Sequence, residues 1–326
     1  MVRRWWWLAA MIVMVVVTAF TYEPPSKGDE FTLLFTATVN GNLEPCGCPV
    51  NPSGGVARRA WYIRQHAPKD HPAVLLDGGD VVGPPTPKGL LQTEYLFQAM
   101  HHMGYTVVGL GARDLAFGVD FLRAAERKYG LTFTSANLVG AGGELVFAPY
   151  AVMRVGRGRA LGVPFGGQRI GVISVMGFDL QPICPSCDPP LALLRPFESV
   201  QRTASAIRRG VDLVVVMAYT DQEGIEQILS IPDVDVVIAS RTLYPPDGFD
   251  NVGRHGHTAI GYTGYEGRRI GEMHIRRGDN GRIGSVEGDL HNLGEDVPDD
   301  PALAGIVAAH RNESARLAPE RPEERR

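Results

Sequence analysis

The sequence lacks the features that mark several large classes of protein. Its net charge of −4 over 326 residues gives no basic excess, so the sequence does not predict a nucleic-acid partner. Only four cysteines occur, and Cys187 is followed by Asp188 rather than histidine, which disfavours haem attachment. A hydrophobic content of 44% and a charged content of 21% are ordinary for a globular protein of one large or two small domains.

No uninterrupted apolar run is as long as the roughly 20 residues that a membrane-spanning helix usually needs. The amino terminus instead carries Arg3 and Arg4 before an uncharged stretch from Trp5 to Phe20, which matches a signal sequence. Small residues at 17–19 suit cleavage before Phe20, and an uncleaved anchor is the alternative. We expect residues 1–21 to be a signal peptide or signal anchor. The protein would then be periplasmic or otherwise extracytoplasmic, and it would meet the membrane only through this segment.

The remaining chain divides into three parts by composition. Residues 22–30, with two adjacent prolines, are predicted to be a linker. Residues 31–297 alternate strand and helix patterns and then turn to hairpins, which predicts an α/β domain of two packed sheets flanked by helices. Residues 298–326 are predicted to form a helix followed by a disordered charged tail.

One stretch, Phe31 to Arg59, concentrates unusual features. An apolar strand pattern ends in the turn signal Asn40-Gly41-Asn42, and Cys46 and Cys48 follow. A Gly-Gly pair then precedes a predicted helix from Val56. Sites in open α/β sheets are built beyond the carboxyl ends of the strands, so this loop is a candidate site.

The order of loop motifs resembles the calcineurin-like metallophosphoesterases, specifically their 5′-nucleotidase branch. The resemblance covers roughly residues 31–276. It rests on five short motifs: Asn40 to Leu43, Gly54 to Arg58, Leu76 to Asp80, Phe117 to Leu122 and Ser135 to Leu138. The resemblance implies a four-layer α/β/β/α sandwich with a dinuclear metal site that activates water for attack on a phosphate.

Most of the ligand and catalytic positions that the resemblance implies are substituted. Asp80 alone matches a metal ligand of the family, the bridging aspartate, and it is the one candidate metal ligand. The positions of this degenerate site are Thr38, Asn40, Asp80, Ala112, Arg113, Asp114, Tyr219, Arg241 and Leu243. One carboxylate cannot hold two divalent ions, so a metal pair is not expected and no catalytic residue is assigned.

Three arginines allow two interpretations. Arg58, Arg113 and Arg241 could form a pocket for an anion, because guanidinium groups are permanent cations. Alternatively, each arginine pairs with Asp80 or Asp114 and fills the vacated metal site with salt bridges. The second interpretation is favoured for two of the three.

The cysteines form two pairs, Cys46 with Cys48 and Cys184 with Cys187, in loops that the implied fold places on one face. Disulfide bonding, in a form that joins the two loops, is the first interpretation, because exported cysteines are usually oxidised. A shared zinc ion or iron–sulfur centre is the second, and a redox-active pair is the third.

Two functions follow. The first is an exported protein of phosphoesterase fold that has lost its dinuclear site and acts as a binding or accessory protein. The alternative is an active phosphoesterase or nucleotidase with unusual ligands. Relatives with a cysteine pair in the first loop look like proteins associated with multihaem cytochromes. That resemblance implies an exported redox protein or a multihaem cytochrome as partner.

Overall fold

The computed structural model describes most of the region between Glu30 and Leu317. The described residues are 30–46, 50–68, 73–155, 158–160, 163–165, 167–177, 184, 187, 190–242, 245–247, 250–278 and 281–317. The predicted signal segment, the linker before Glu30, Cys48, Leu243 and residues 318–326 lie outside them. Within the described part, none of the helices combines the length and apolar character needed to cross a membrane.

The first sheet has six strands. Its strands are β1 (Glu30–Thr36), β2 (Ala73–Asp77), β3 (Val107–Val108), β4 (Thr132–Phe133), β15 (Arg269–Arg277) and β16 (Ile283–Asn292). Their order is β16-β15-β1-β2-β3-β4. β1 to β4 are parallel, whereas β15 pairs antiparallel with both β1 and β16.

The second sheet also has six strands. Its strands are β6 (Tyr150–Val155), β9 (Gln168–Met176), β11 (Leu213–Tyr219), β12 (Val236–Ala239), β13 (Val252–His255) and β14 (Thr258–Tyr262). Their order is β13-β14-β12-β11-β9-β6, with parallel pairing from β14 to β9. Two small pairs complete the strands: β5 (Leu138–Val139) with β10 (Ala192–Leu193), and β7 (Gly158–Ala160) with β8 (Val163–Phe165).

In the described part of the chain, six α-helices cover the two sheets. They are α1 (Val56–His66), α2 (Pro87–Met103), α3 (Val119–Tyr129), α4 (Pro196–Ile207), α5 (Gln222–Leu229) and α6 (Pro301–Ser314). Asp300 caps α6, because its Oδ1 accepts from the N–H groups of Ala302 and Leu303. The backbone N–H of Asp300 donates to the carbonyl of Ala57, which ties α6 to α1.

Strand alternation divides the apolar residues among three core layers. On β1, Leu33 and Phe35 face the space between the sheets, whereas Leu34 faces the layer that contains residues of α1, α2, α3 and α6. On β11, Val215 faces the other sheet and Val216 faces the layer with α4 and α5. This alternation produces the predicted four-layer α/β/β/α sandwich, because each sheet buries both faces.

Two edges differ from the sequence-based prediction. The sequence analysis predicted hairpins after the alternating part of the domain, but residues 142–155 contain one strand, Tyr150–Val155, which pairs antiparallel with β9. The sequence analysis did not predict β16, which lies at the edge of the first sheet and is largely exposed. Such a polar strand gives little hydrophobic pattern, and its pairing with β15 identifies it only in the folded chain.

Candidate functional site

Loops after β1 and β2 form one wall of the site. Backbone N–H groups of Thr38, Asn40 and Gly41 donate to the carbonyls of Gly79, Asp80 and Val81 at 2.7, 2.8 and 2.7 Å. Left-handed backbone occurs at Thr38, Asn40 and Asp80, with φ of 50°, 54° and 57°. Such conformations are costly for residues other than glycine, so the hydrogen bonds between the loops hold a strained arrangement.

The second sheet closes against this wall without space for an extra atom. A Cβ atom placed on Gly78 would lie 2.0 Å from Ser240 Oγ and 3.1 Å from the Cβ of Ala37. Ser240 follows β12 and Ala37 follows β1, so glycine at position 78 allows the loops of both sheets to meet. The carboxyl ends of the two sheets therefore lie side by side, as the implied fold requires.

The buried carboxylate of Asp114 anchors the loop after β2. Oδ2 accepts from the backbone N–H groups of Asp80 and Gly111, both at 2.7 Å. Oδ1 accepts from those of Val81 and Val82 at 2.8 and 3.1 Å. Burial, followed by the nearby charge of Asp80, raises the pKa of Asp114 to about 7, and the backbone donors oppose that shift. Asp114 thus fixes the position of Asp80 without any ion pair.

Asp80 is held by a hydroxyl group and a backbone amide. Tyr219, at the end of β11, donates its hydroxyl to Asp80 Oδ2 at 2.5 Å, and the backbone N–H of Arg113 donates to Oδ1 at 2.8 Å. Burial is the main reason that the pKa of Asp80 is raised, while these two donors lower it. Burial and the Asp80 charge likewise raise the pKa of Tyr219. Tyr219 therefore links the two sheets through the one matching carboxylate.

Two of the three arginines considered for this site affect the pKa of Asp80 through their charge. The charges of Arg113 and Arg241 both lower the pKa of Asp80. The exposed guanidinium of Arg113 makes no hydrogen bond or ion pair with any described residue. The hydrogen bonds of the two carboxylates, Asp80 and Asp114, come from backbone N–H groups and the Tyr219 hydroxyl. Filling of the vacated site by salt bridges stays a prediction, and the charges of Arg113 and Arg241 on Asp80 are the observation that bears on it.

The third arginine, Arg58, is engaged elsewhere. Its Nη1 donates to the carbonyls of Pro52 and Leu293 at 2.7 and 3.3 Å, and its Nε lies 4.0 Å from Asp299. These contacts hold Arg58 at two backbone carbonyls and near Asp299, rather than in an ion pair with Asp80. On a helix that buries Val56 and Ala60, it is Arg59 that points inward, because it lies three residues after Val56.

Sequence reasoning did not single out the buried polar cluster at the end of β2. Asp77 is fully buried, and its carboxylate accepts from Thr36 Oγ1 at 2.6 Å and from the Gly79 N–H at 2.9 Å. Burial raises the pKa of Asp77, whereas the charge of buried Arg59 lowers it. Tyr105 joins the cluster through Thr36 at 2.9 Å. The sequence did contain one indication of this cluster, because helical spacing places Arg59 on the buried face of α1.

The donor set does not fit the dinuclear metal centre that the resemblance implies. Thr38 directs its hydroxyl to the carbonyl of Gly264 at 2.9 Å, and Ala112 has no donor atom in its side chain. Asn40 Oδ1 is buried without a hydrogen-bond partner, so it adds one oxygen beside Asp80. At this edge of the sheets, no three histidine, cysteine or carboxylate side chains of the described residues converge on a common point to hold a metal ion. Leu243 lies outside the described residues.

The prediction of a disulfide is confirmed, but the predicted cross-loop pairing is wrong. Cys184 is bonded to Cys187, with Cα atoms 5.4 Å apart, because their spacing brings the sulfurs together locally. Cys184 is buried near the carbonyl of Leu115, whereas Cys46 lies near Ser53. A shared four-thiolate zinc or iron–sulfur site cannot coexist with this bond, since the bonded sulfurs are not thiolates. Cys48 lies outside the described residues.

Comparisons with known proteins bear on this geometry. No family model matches the chain. Snake venom 5′-nucleotidase from Naja atra is 22% identical over 313 residues, covering 86% of this chain and 56% of its own. The 5′-nucleotidase precursor from Thermus thermophilus superposes with a TM-score of 0.74 at 21% identity, over 88% of this chain and 59% of its own.

A second solved structure matches over nearly its full length. The calcineurin-like phosphoesterase YfkN from Bacillus subtilis has a TM-score of 0.73 at 16% identity, covering 88% of this chain and 98% of its own. The chain spans somewhat more than half of the venom enzyme and of the Thermus protein. The resemblance proposed from the loop motifs is confirmed at the level of the fold.

Replacing Asp114 tests its anchoring role. We expect Asp114→Asn to lower the free energy of unfolding by about 2–3 kcal/mol, because an amide nitrogen would face backbone N–H donors in a buried site. Asp120→Asn, an exposed change in the first turn of α3, serves as the control and should cost less than about 1 kcal/mol. Urea denaturation followed by circular dichroism measures both, and equal losses would contradict the anchoring role.

The disulfide is tested by peptide mapping of the unreduced protein. We expect Cys184 and Cys187 in one peptide whose mass increases on reduction, because the two residues are bonded to each other. Cys184→Ser provides the control, since it removes that mass change. A peptide joining either residue to Cys46 or Cys48 would show that the local pairing is incorrect.

Proposed function

Because the chain has the calcineurin-like phosphoesterase fold in the form found in 5′-nucleotidases, we propose that it is an exported, non-catalytic binding or accessory protein. Its proposed binding surface is the edge of the two sheets at which phosphoesterases of this fold would hydrolyse their substrates. The proposed function at that edge is binding and does not include hydrolysis. The fold alone does not carry this proposal, since one fold can serve many functions.

The observation that carries the proposal is the engagement of Asp80. A bridging aspartate must offer free oxygen lone pairs to two cations. Here Tyr219 and the Arg113 backbone each donate to a different carboxylate oxygen. The hydroxyl of Tyr219 occupies one of the acceptor positions of Oδ2. Asp80 thus serves as a structural acceptor, and the loops around it are held without an ion.

The charges around Asp80 support binding of an anion over binding of a divalent cation. Arg113 and Arg241 are permanent cations at positions where the resemblance implies neutral ligands. Arg113 is exposed and its guanidinium has no partner among the described residues. A negatively charged group on a ligand or partner would gain charge-assisted hydrogen bonds there. With Arg58 engaged elsewhere, the proposed anion site comprises only these two arginines.

An active phosphoesterase with unusual ligands is the second candidate. Its support is the buried, unpartnered Oδ1 of Asn40, which is an oxygen donor at a position where the resemblance implies a ligand. Together with Asp80 it offers two oxygens, fewer than a dinuclear centre needs. The similarity to proteins that are called 5′-nucleotidases also supports hydrolysis as a candidate activity.

An activity assay separates the two candidates. Purified protein supplied with Mn²⁺ or Zn²⁺ should hydrolyse nucleotide and aryl phosphates no faster than Asp80→Ala, because no dinuclear centre forms. Asp120→Ala is the matched control for loss of an aspartate. Hydrolysis that is abolished by Asp80→Ala and retained by Asp120→Ala would establish the second candidate instead.

Export is tested by cell fractionation of the full-length chain. We expect the protein in the periplasm or on the outer face of the cytoplasmic membrane, because Arg3, Arg4 and the apolar run 5–20 form a signal sequence. A variant that lacks residues 2–21 should stay in the cytosol. Recovery of the full-length protein chiefly in the cytosol would contradict export, and with it the proposed exported redox or multihaem cytochrome partner.

A further inference from the structure

A second cluster of chemically active side chains lies away from the candidate site. It consists of Glu272 and His274 on β15, His291 on β16, and Tyr62 and His66 on α1. Glu272 and His274 are paired with Leu34 and Thr32 on β1. The candidate site is formed by the loop that follows Thr36 at the carboxyl end of β1, so the cluster lies back along the strand from that site.

Three imidazoles converge on one buried carboxylate in this cluster. His274 Nε2 lies 3.0 Å from Glu272 Oε1, and His66 Nδ1 and His291 Nε2 lie 3.4 and 3.6 Å from Oε2. The Glu272 side chain is 8% exposed, whereas the three histidine side chains are 38–50% exposed. An ion from solvent can therefore reach the imidazoles, while the carboxylate beneath them stays fixed.

We propose that Glu272, His66, His274 and His291 form a binding site for a divalent transition-metal ion such as Zn²⁺. Imidazole and carboxylate are the ligands that zinc takes with bonds of about 2.0–2.2 Å. In a tetrahedron with such bonds, neighbouring ligand atoms are separated by about 3.3–3.6 Å. The observed separations between the carboxylate oxygens and the imidazole nitrogens, 3.0–3.6 Å, are close to this value.

Outer hydrogen bonds already orient two of these side chains. Thr32 Oγ1 lies 3.0 Å from Nδ1 of His274, which directs Nε2 of the same ring toward Glu272. The hydroxyl of Tyr62 donates to Glu272 Oε2 at 2.5 Å. Metal-binding histidines characteristically have such a partner on the ring nitrogen that does not contact the ion, as Thr32 is for His274.

Closure of the site requires ring movement. In this structure the imidazoles surround the carboxylate rather than one common point, and the ring centres of His66 and His291 are 6.2 Å apart. His66 is stacked on Tyr62 with ring centres 3.8 Å apart, so this ring must shift when an ion binds. Because His66 and His291 are on different elements, the ion would join the end of α1 to the edge of the first sheet.

Zinc binding to untagged, chelator-treated full-length protein tests the proposal. We expect one Zn²⁺ per chain by equilibrium dialysis with metal analysis, and an increase in Tm with zinc concentration, because the ion binds only the folded chain. His274→Ala should weaken binding by about tenfold or more. The double variant His66→Ala/His291→Ala should abolish both the binding and the increase in Tm.

Two controls make the result specific. The double variant His101→Ala/His102→Ala, which removes exposed histidines on α2, should bind zinc like the original protein. Cys46→Ser/Cys48→Ser should also retain binding, which excludes the thiols as the site. Absence of saturable binding, or binding unchanged by His274→Ala and by the His66/His291 double variant, would overturn the proposal. None of these outcomes depends on the function proposed for the Asp80 site.

Discussion

The candidate site depends on one buried carboxylate and the backbone donors around it. Asp114 accepts hydrogen bonds from four N–H groups, those of Asp80, Val81, Val82 and Gly111. Burial of a carboxylate is costly unless hydrogen bonds replace its water, and these bonds supply that replacement. Because three donors come from the loop after β2, Asp114 sets the path of that loop and the left-handed backbone of Asp80. That path places the loop after β2 beside the loop after β1, and the backbone hydrogen bonds between the two loops form the wall of the site.

Three buried carboxyl groups lie close to this edge, and the charges of nearby arginines act on two of them. Burial raises the pKa of Asp77, Asp80 and Asp114 alike. The charge of Arg59 acts on Asp77, and those of Arg113 and Arg241 act on Asp80. In the dinuclear centre implied by the resemblance, metal ions would supply the positive charge. Here guanidinium groups supply it, and they cannot be removed by dilution or chelation.

Hydrogen-bonding and cationic side chains stand at positions where the resemblance implies metal ligands. They still hold the carboxyl ends of the two sheets together. Tyr219 spans from the second sheet to Asp80 on the first, and Gly78 lets Ser240 approach the same loop. Both contacts position the edge, yet neither provides a nucleophile or an activated water. Within the described part of this edge, the guanidinium of Arg113 is exposed. This exposed cation is the observation from which we propose recognition of an anion.

The order of motifs in the sequence was sufficient to determine the four-layer fold, and the substitutions at 112, 113, 219 and 241 identified where the site would differ. Periodic apolar patterns and turn residues are local, so a single chain records them directly. The tertiary structure showed that Arg59, not Arg58, is buried, and it alone showed that the Tyr219 hydroxyl and the backbone N–H of Arg113 donate to Asp80. It also paired Cys184 with Cys187 and gathered the histidines around Glu272. Apart from the disulfide, which joins residues three positions apart, these outcomes depend on contacts between residues distant in sequence, where packing and competing hydrogen-bond partners determine which contact forms.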